Sequence, residues 1–147
     1  MREEHSEAAA RGRYGYVSAY DPKRHMARVR FPDKDNMVSA WLPVAVPNSR
    51  KNKDEFHLDI DEHVYCNMLG NGLEAGVVLC SIWDDKNQPP VGDQDIRHTT
   101  FEDGTTVFQD RKNKIFQIKD SFGSYIRFED GNIYIWSDKN VYINEGK

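Results

Sequence analysis

Residues 100–143 read TFEDGTTVFQDRKNKIFQIKDSFGSYIRFEDGNIYIWSDKNVYI, and this stretch decides the fold. Short segments rich in β-branched and aromatic residues alternate with polar clusters of the kind that form turns. The turn clusters lie at residues 102–104, 110–113, 120–121, 129–131 and 137–140. The tetrapeptide FEDG occurs twice, which is typical of an irregular β repeat. The stretch therefore predicts a series of short strands.

Side chains within these segments alternate in character. Successive strand residues point to opposite faces of a sheet, so Ile126 and Phe128 share one face while Tyr125 and Arg127 share the other. The same alternation runs through residues 133–136 and 141–143. We expect eight side chains to point inward, namely Phe116, Ile118, Ile126, Phe128, Ile133, Ile135, Val141 and Ile143. Four aromatic side chains are expected to be more exposed, namely Tyr125, Tyr134, Trp136 and Tyr142.

Such a sheet needs a partner. The pattern contains no helix that would cover either face, and a small isolated meander is marginally stable, with open edges that promote aggregation. Several copies wound about one axis would bury the aliphatic face in a shared core and pair each edge with a neighbouring chain. The alternative is an ordinary β-sandwich in which the N-terminal part of the chain supplies the second sheet.

Composition is consistent with a narrow, elongated molecule. The chain has 147 residues, enough for one domain or two small ones. A hydrophobic content of 38% and a mean hydropathy of −0.78 are low for a compact monomer, but 12% aromatic residues are too many for a disordered chain. The net charge of −4 argues against a phosphate backbone as the main partner. The basic run RKNK at residues 50–53 precedes Asp54 and Glu55 and is expected to be a solvated loop.

The two cysteines and the N-terminus bear on the compartment. Cys66 and Cys80 lie in apolar, strand-like runs without a CxxC motif, so we expect buried free thiols, with a disulfide between neighbouring strands left open. No apolar run is long enough for a transmembrane helix, and residues 1–11 are charged, lack a signal sequence core and are expected to form a flexible arm. The chain is therefore expected to fold in a cytoplasm.

Residues 12–83 predict a small antiparallel barrel of about five strands. Residues 14–31 have the pattern of a β-hairpin with its turn at Asp21, Pro22 and Lys23, and Ala27, Val29 and Phe31 alternate with polar or flexible residues in its second strand. An OB-fold-like topology would satisfy this strand number.

The rest of this region predicts three further strands and a connector. Residues 38–47 predict a strand with an internal proline, which an edge or a bulge tolerates. Residues 64–69 and 75–83 are the most apolar segments and are expected to form the buried centre of the barrel. The polar, proline-bearing residues 84–96 predict a linker, and the repeat domain is expected to span residues 97–147.

Several of these segments together resemble the baseplate assembly protein V family, the central spike proteins of contractile phage tails and related injection machines. No single motif carries the resemblance, which depends on the order and spacing of segments over residues 12–143. The matching segments are GYV at 15–17, ARVRF at 27–31, WLP at 41–43, DIDEHV at 59–64, GVVL at 76–79, DD at 84–85, PP at 89–90 and TTFEDGT at 99–105.

The resemblance implies an all-β homotrimer with an N-terminal OB-fold-like collar and a C-terminal intertwined trimeric β-helix that forms the spike shaft. It implies that the collar contacts tail tube or baseplate hub proteins, that the particle assembles in the bacterial host cytoplasm, and that sheath contraction drives the shaft through the target cell envelope. Some family members bind iron through a His-x-His pair at the apex, but this chain has no histidine after His98. The metal is therefore not carried over, and a blunt shaft or a separate small tip protein is expected instead.

The sequence offers little for catalysis. The histidines, His5, His25, His57, His63 and His98, show neither a nucleophile motif nor metal-ligand spacing. Residues 57–63 hold the densest group of ligand-type side chains but have Ile60 where a calcium loop requires glycine. Carboxylates in the connector at 84–85 and 93–95 are not expected to hold the fixed separation that glycoside hydrolysis requires. We expect no enzyme activity, cofactor or metal.

Single-stranded nucleic acid binding is the alternative function. Aromatic side chains interleaved with arginines offer stacking platforms beside positive charge. The aromatic residues are Tyr14, Tyr16, Tyr20, Phe31 and Trp41, and the arginines are Arg13, Arg24, Arg28 and Arg30. The acidic balance of the chain and a repeat domain that needs a partner both favour a structural role, with these aromatics in the barrel or at subunit contacts.

Overall fold

A computed structural model describes residues 11–144 and 146, and confirms that the chain is all-β. The described residues form eleven strands in two antiparallel sheets, and their one helical element is a 3-10 turn at Pro32–Lys34. The chain divides into two compact units, Met1–Asn87 and Gln88–Lys147, and the division falls inside the segment expected to be a linker. The predicted flexible arm lies outside the described residues, except for Arg11.

The N-terminal unit contains a six-stranded sheet that closes on itself. Its strands run in the order β3-β2-β1-β5-β6, and β4 also pairs with β2. Val44, directly after β4, forms a parallel bridge with Val78 of β6, which joins the two ends of the sheet. The strands are β1 (Gly12–Asp21), β2 (Met26–Phe31), β3 (Met37–Val38), β4 (Leu42–Pro43), β5 (His63–Met68) and β6 (Gly76–Ser81).

The predicted hairpin is confirmed as β1 and β2. The Asp21 carboxylate accepts hydrogen bonds from the backbone N–H groups of Lys23 (3.0 Å) and Arg24 (3.3 Å), and this local bonding sets the turn. The alternation in β2 is also confirmed, because Ala27, Val29 and Phe31 are fully buried. The core of the unit consists of Val17, Ala27, Val29, Phe31, Leu42, Val44, Leu58, Val64, Cys66, Met68 and Val78.

Two expectations about this unit are met only in part. Of the two segments expected to be buried, β5 buries three of its six residues, whereas β6 lies at one end of the sheet and buries only Val78. The continuous apolar sequence of β6 does not indicate burial on both faces. Leu79 and Cys80 point to opposite faces of the sheet, and both are exposed. In place of one strand over residues 38–47 there are the two-residue strands β3 and β4. Between them Ser39 donates its N–H to the Val29 carbonyl (2.8 Å), and its buried Oγ accepts from the Val29 N–H (2.9 Å) where a second backbone bond would otherwise form.

The two thiols are both free, but only Cys66 is buried as expected. Burial raises the pKa of the Cys66 thiol to about 12. Because thiol reagents attack the thiolate, we expect the native chain to react rapidly at Cys80 alone at pH 8 and at both thiols in denaturant. Counting reacted thiols with a chromogenic disulfide checks this, with Cys80→Ser as the control that should lose the rapid phase. A rapid phase that survives in Cys80→Ser would contradict it.

The C-terminal unit is a five-stranded antiparallel meander in which each strand pairs with its neighbours in sequence. Its strands are β7 (Ile96–Thr100), β8 (Thr106–Asp110), β9 (Ile115–Lys119), β10 (Tyr125–Glu129) and β11 (Asn132–Trp136). The expected strand at residues 141–143 is wrong, because the described residues after Trp136 form none. That segment follows β11 through polar residues 137–140 and pairs with no strand among the described residues.

Aspartates start most of the turns of this meander. Asp110 accepts hydrogen bonds from the N–H groups of Lys112 and Asn113 (both 3.0 Å), and Asp120 accepts them from Phe122 and Ser124 (3.0 and 2.9 Å). The last turn is formed by Asp130 and Gly131, whose positive φ angles of 52° and 76° match the two-residue hairpin geometry that Asp-Gly favours. The polar clusters seen in the sequence are therefore turns with defined bonding.

These bonds make the sheet sensitive to acid. Hydrogen bonds from Asn113 lower the pKa of Asp110, and those from Thr105 lower the pKa of Asp103, both from an ordinary 3.8. Since the folded pKa is below the unfolded one, this stabilisation is fully present well above pH 4 and is lost as the pH falls through the lowered values. We expect the urea midpoint of the full chain to fall below pH 4, and to fall less in Asp110→Asn.

Exposed Asp138 provides the control for the acid titration. An Asp138→Asn variant should keep the wild-type pH dependence, measured by circular dichroism between pH 2 and pH 6. Equal acid sensitivity in Asp110→Asn and the wild type would contradict the role given to this turn.

Candidate assembly interface

One face of the C-terminal sheet is formed by apolar side chains from four adjacent strands. In the register, Ile126 of β10 pairs with Ile118 of β9 and with Ile135 of β11. Phe128 of β10 pairs in the same way with Phe116 and Ile133. Val107 of β8 extends the row by pairing with Ile118. We call this surface the apolar face, formed by Val107, Phe116, Ile118, Ile126, Phe128, Ile133 and Ile135.

The apolar face is uncovered in the single chain. The exposed fraction is 40% for Phe116, 42% for Ile126, 45% for Phe128 and 63% for Ile133. Soluble monomers rarely expose contiguous apolar patches of this kind, and those that do usually use them for binding. The face is therefore the strongest candidate for an interface in the described residues.

The opposite face of the sheet is mixed polar and aromatic, and its groups bond to one another. The Arg127 guanidinium lies 4.8 Å from the Tyr125 ring centroid and donates from Nε to Oε1 of Gln117 (2.8 Å). Tyr125 also stacks on Trp136, with ring centroids 6.0 Å apart. Gln117 is 7% exposed, so its buried polar group is satisfied by this bond. This face has less need of a partner than the apolar face.

The structure brings six of the eight predicted inward residues onto the apolar face. Val141 (47% exposed) and Ile143 (75% exposed) lie beyond β11 and do not join it. In the single chain the aromatic face is no more exposed than the aliphatic one, since Tyr134 is 44% exposed and Ile135 is 52% exposed. The expected lower exposure of the aliphatic face concerns an assembly of several chains and stays a prediction. The role of all eight residues in a trimer core also stays a prediction.

The predicted nucleic-acid residues do not form one surface in the N-terminal unit. Phe31 is fully buried, and Trp41 lies beneath Arg24, at 5.2 Å. Arg24 is paired with Asp21 (2.7 Å), and Arg13 is paired with Asp33 (2.6 Å). These contacts reduce the charge that the arginines offer to a phosphate.

A smaller aromatic patch does form on the outer side of β1 and β5. Tyr16 stacks on His63, with ring centroids 4.9 Å apart, and Tyr14 contacts Tyr65 edge-on at 5.0 Å. Arg30 lies 5.0 Å from the Tyr16 ring. Sequence reasoning found Tyr14, Tyr16 and Arg30 but missed His63 and Tyr65, and the register that places Tyr16 opposite His63 is visible only in the paired strands.

Beside this patch lies a groove of about 970 Å³, lined by residues 59–63 and 81–87 together with Tyr16 and Arg30. Ile60 and Trp83 are 55% and 62% exposed. Its carboxylates belong to Asp59, Asp61, Glu62, Asp84 and Asp85. We call this the acidic groove.

The remaining sequence candidates take part in turns and local bonds. Asp84 accepts hydrogen bonds from the N–H groups of Lys86 (3.0 Å) and Asn87 (2.8 Å), and the Asn87 bond is the main cause of its lowered pKa. Asp95 binds Arg111 at 2.8 Å. Over residues 11–144, no three His, Cys, Asp or Glu side chains converge in a way that would hold a metal ion. No helix in that range is long and apolar enough to span a membrane.

Comparison with known proteins gives no assignment: no protein-family model matches the chain, and no curated protein is significantly similar to it in sequence.

Proposed function

We propose that this chain is a structural subunit, the homotrimeric central spike of a contractile phage tail or a related injection particle. The observation that carries the proposal is the apolar face, which is regular, continuous over four strands and uncovered. Three copies packed on this face would bury it around a common axis. The resemblance of the segments over residues 12–143 to baseplate assembly proteins supports this choice among self-assembling β proteins.

The N-terminal unit suits the collar of such a spike. Its closed sheet has the strand neighbours of an OB-fold-like barrel, with β1 between β2 and β5 and a parallel contact between β6 and the segment after β4. In the proposed particle this unit contacts tail tube or baseplate hub proteins. A separate small tip protein would cover the C-terminal end of the shaft, where Tyr142 is 70% exposed.

The mechanism is mechanical. In an intertwined trimeric β-helix, each chain's sheet edges, β7 and β11, pair with neighbouring chains, so bending or shearing the shaft breaks many backbone hydrogen bonds at once. The apolar face fills the centre without a channel. A narrow, stiff object of this kind transmits the force of sheath contraction to the target envelope without any catalytic step or cofactor.

The solution mass of the full chain tests the proposal. Light scattering should give three chains of 17.0 kDa, about 51 kDa. A chain truncated after Asp95 should lose this association, since it lacks the apolar face. A monomeric full chain at tens of micromolar would contradict the proposal.

Single-stranded nucleic acid binding remains the second candidate, favoured by one observation. Tyr14 is 57% exposed beside the Arg30–Tyr16–His63 stack, which offers a ring face and a cation to a base and its phosphate. The acidic groove next to the patch opposes it through repulsion of phosphates. A labelled oligonucleotide whose anisotropy rises in a salt-sensitive way at physiological ionic strength would make this the leading function.

A further inference from the structure

We propose that in the trimer the basic loop of one copy, residues 50–53, docks in the acidic groove of the neighbouring copy. This inference rests on the proposed function, because it needs copies of the N-terminal unit side by side. It assigns the groove one occupant, a second copy of this chain, and adds a collar interface to the one formed by the apolar face.

The acidic groove combines an apolar floor with unpaired carboxylates. Trp83 and Ile60 are more than half exposed within it. Among residues 11–144, the carboxylates of Asp59, Asp61 and Asp85 form no ion pair. Such a surface suits lysine and arginine side chains. Their aliphatic part can pack on Trp83 and Ile60 while the charged group reaches the carboxylates.

The cationic residues that line the groove, Arg30 and Lys86, do not balance the charge of its carboxylates. Arg30 is held at one side by its contact with Tyr16 and by a hydrogen bond from Nη1 to Oδ1 of Asn36 (2.9 Å). Lys86 also lines the groove, and its backbone N–H donates to Asp84. Five carboxylates therefore face two cations, and a docked segment must bring positive charge.

The basic loop supplies that charge. Arg50, Lys51 and Lys53 are exposed and form no ion pair among the described residues. A bridge between Ser49 and Lys53 holds the loop as a tight turn, which places Arg50 and Lys51 at its tip. The same RKNK sequence recurs at residues 111–114, but there Arg111 is paired with Asp95 (2.8 Å), so the loop at residues 50–53 offers the larger number of unpaired cations among the described residues.

The segment that follows the loop is anchored beside the β1–β2 turn. His25, next to the β1–β2 turn, donates from Nε2 to the carbonyl of Phe56 (2.7 Å), and the Tyr20 hydroxyl bonds Nδ1 of His57 (2.6 Å). The loop and the groove are distinct surfaces, since no residue of the stretch 49–57 lines the groove. Two complementary surfaces at separate places on one subunit make head-to-tail contacts, and such contacts close into a ring under three-fold symmetry.

Electrostatics favour this arrangement in an acidic trimer. Each chain carries a net charge of −4, so three adjacent copies repel one another. Isolated surface ion pairs contribute little, but pairs seated on an apolar floor are partly shielded from water and interact more strongly. Reversing one partner's charges also adds repulsion, which makes charge reversal a sensitive test.

The test uses two triple reversals in the full chain. The loop variant is Arg50→Glu/Lys51→Glu/Lys53→Glu, and the groove variant is Asp59→Lys/Asp61→Lys/Asp85→Lys. The readout is the dissociation constant of the trimer, measured by dilution and light scattering at low and physiological salt. A charge-matched control, Lys23→Glu/Lys112→Glu/Lys139→Glu, makes the same change of net charge as the loop variant on other exposed lysines.

We expect each reversal to raise the dissociation constant about tenfold or more beyond the control, with the larger effect at low salt. Combining both reversals in one chain should bring it back to within about threefold of the wild type, because the pairs reform with opposite sign. A loop reversal no worse than the control, or a combined variant that is not restored, would overturn the inference.

Cross-linking gives a second, independent readout. In trimers mixed from light and heavy isotope chains, a zero-length carbodiimide cross-link between Lys53 and Asp59 or Asp61 should join a light to a heavy peptide. Cross-links confined to one chain would overturn the inference. A full chain that is monomeric would instead defeat the proposed function itself, so the two failures are distinguishable.

Discussion

Ile135→Asp is expected to abolish the trimer while leaving the single chain folded. Ile135 is 52% exposed in the single chain and pairs across the strands with Ile126, so an aspartate there meets water when the chain is alone. In the proposed assembly the same position lies near the common axis, where three carboxylates would be buried together without partners. Burying an unpaired charge costs several kcal/mol per ion, which exceeds what one such interface can offset. Light scattering should show a monomer, with a β-sheet circular dichroism spectrum retained.

Tyr134→Asp is the matched control for this substitution. Tyr134 is the preceding residue of β11, is 44% exposed and lies on the opposite face of the sheet. It should remain trimeric, because its carboxylate would face solvent in both states. A trimeric Ile135→Asp variant with unchanged melting would show that the apolar face is not the core of an assembly.

Phe31→Ala is expected to destabilise the N-terminal unit by about 3–5 kcal/mol, the usual cost of removing a buried phenylalanine ring. Phe31 is fully buried at the end of β2 and is the largest buried side chain of the unit. The ring also packs close to Gly15 of β1, where an added Cβ would lie 3.0 Å from Phe31 Cδ1. The tightly packed neighbours of the ring can close the space only in part, so most of this cost should be observed. Urea denaturation followed by circular dichroism measures the change.

Tyr14→Ala provides the comparison for Phe31→Ala. Tyr14 lies in the same hairpin but is 57% exposed, so its removal should cost about 1 kcal/mol or less. If both variants lost similar stability, the assignment of Phe31 to the core would be wrong. Tyr14→Ala also bears on the second candidate function. If the chain binds single-stranded nucleic acid, loss of the exposed Tyr14 ring should weaken that binding while the N-terminal unit stays folded.

Alternation along single strands was the most informative feature of the sequence. It predicted that Ile126 and Phe128 share a face, and that Ala27, Val29 and Phe31 of β2 share another, because the direction of a side chain in a strand follows from its position alone. The prediction failed for β6, where apolar residues occur on both faces. Which side of such a strand is buried depends on its neighbours in the sheet, and these are set by pairing between distant segments.

The acidic groove was not predictable for a related reason. Tyr16, Ile60 and Trp83 come from three separate parts of the chain, and only the pairing of β1 with β5 and of β5 with β6 brings them together. The sequence shows that residues 57–63 are rich in side chains able to bind metals. It does not show that Tyr16 and Trp83 lie beside them. The apolar face was easier to predict, since it is built from consecutive hairpins with short connections.

The strands of the C-terminal meander begin ten, nine, ten and seven residues apart, and each is five residues long. Every strand pairs only with its neighbours in sequence, so a hairpin of about twenty residues is a complete unit of the sheet. We expect that such a unit can be duplicated or removed in register without changing the N-terminal fold. The number of strands in the C-terminal unit could then change between related genes without any change in the N-terminal unit.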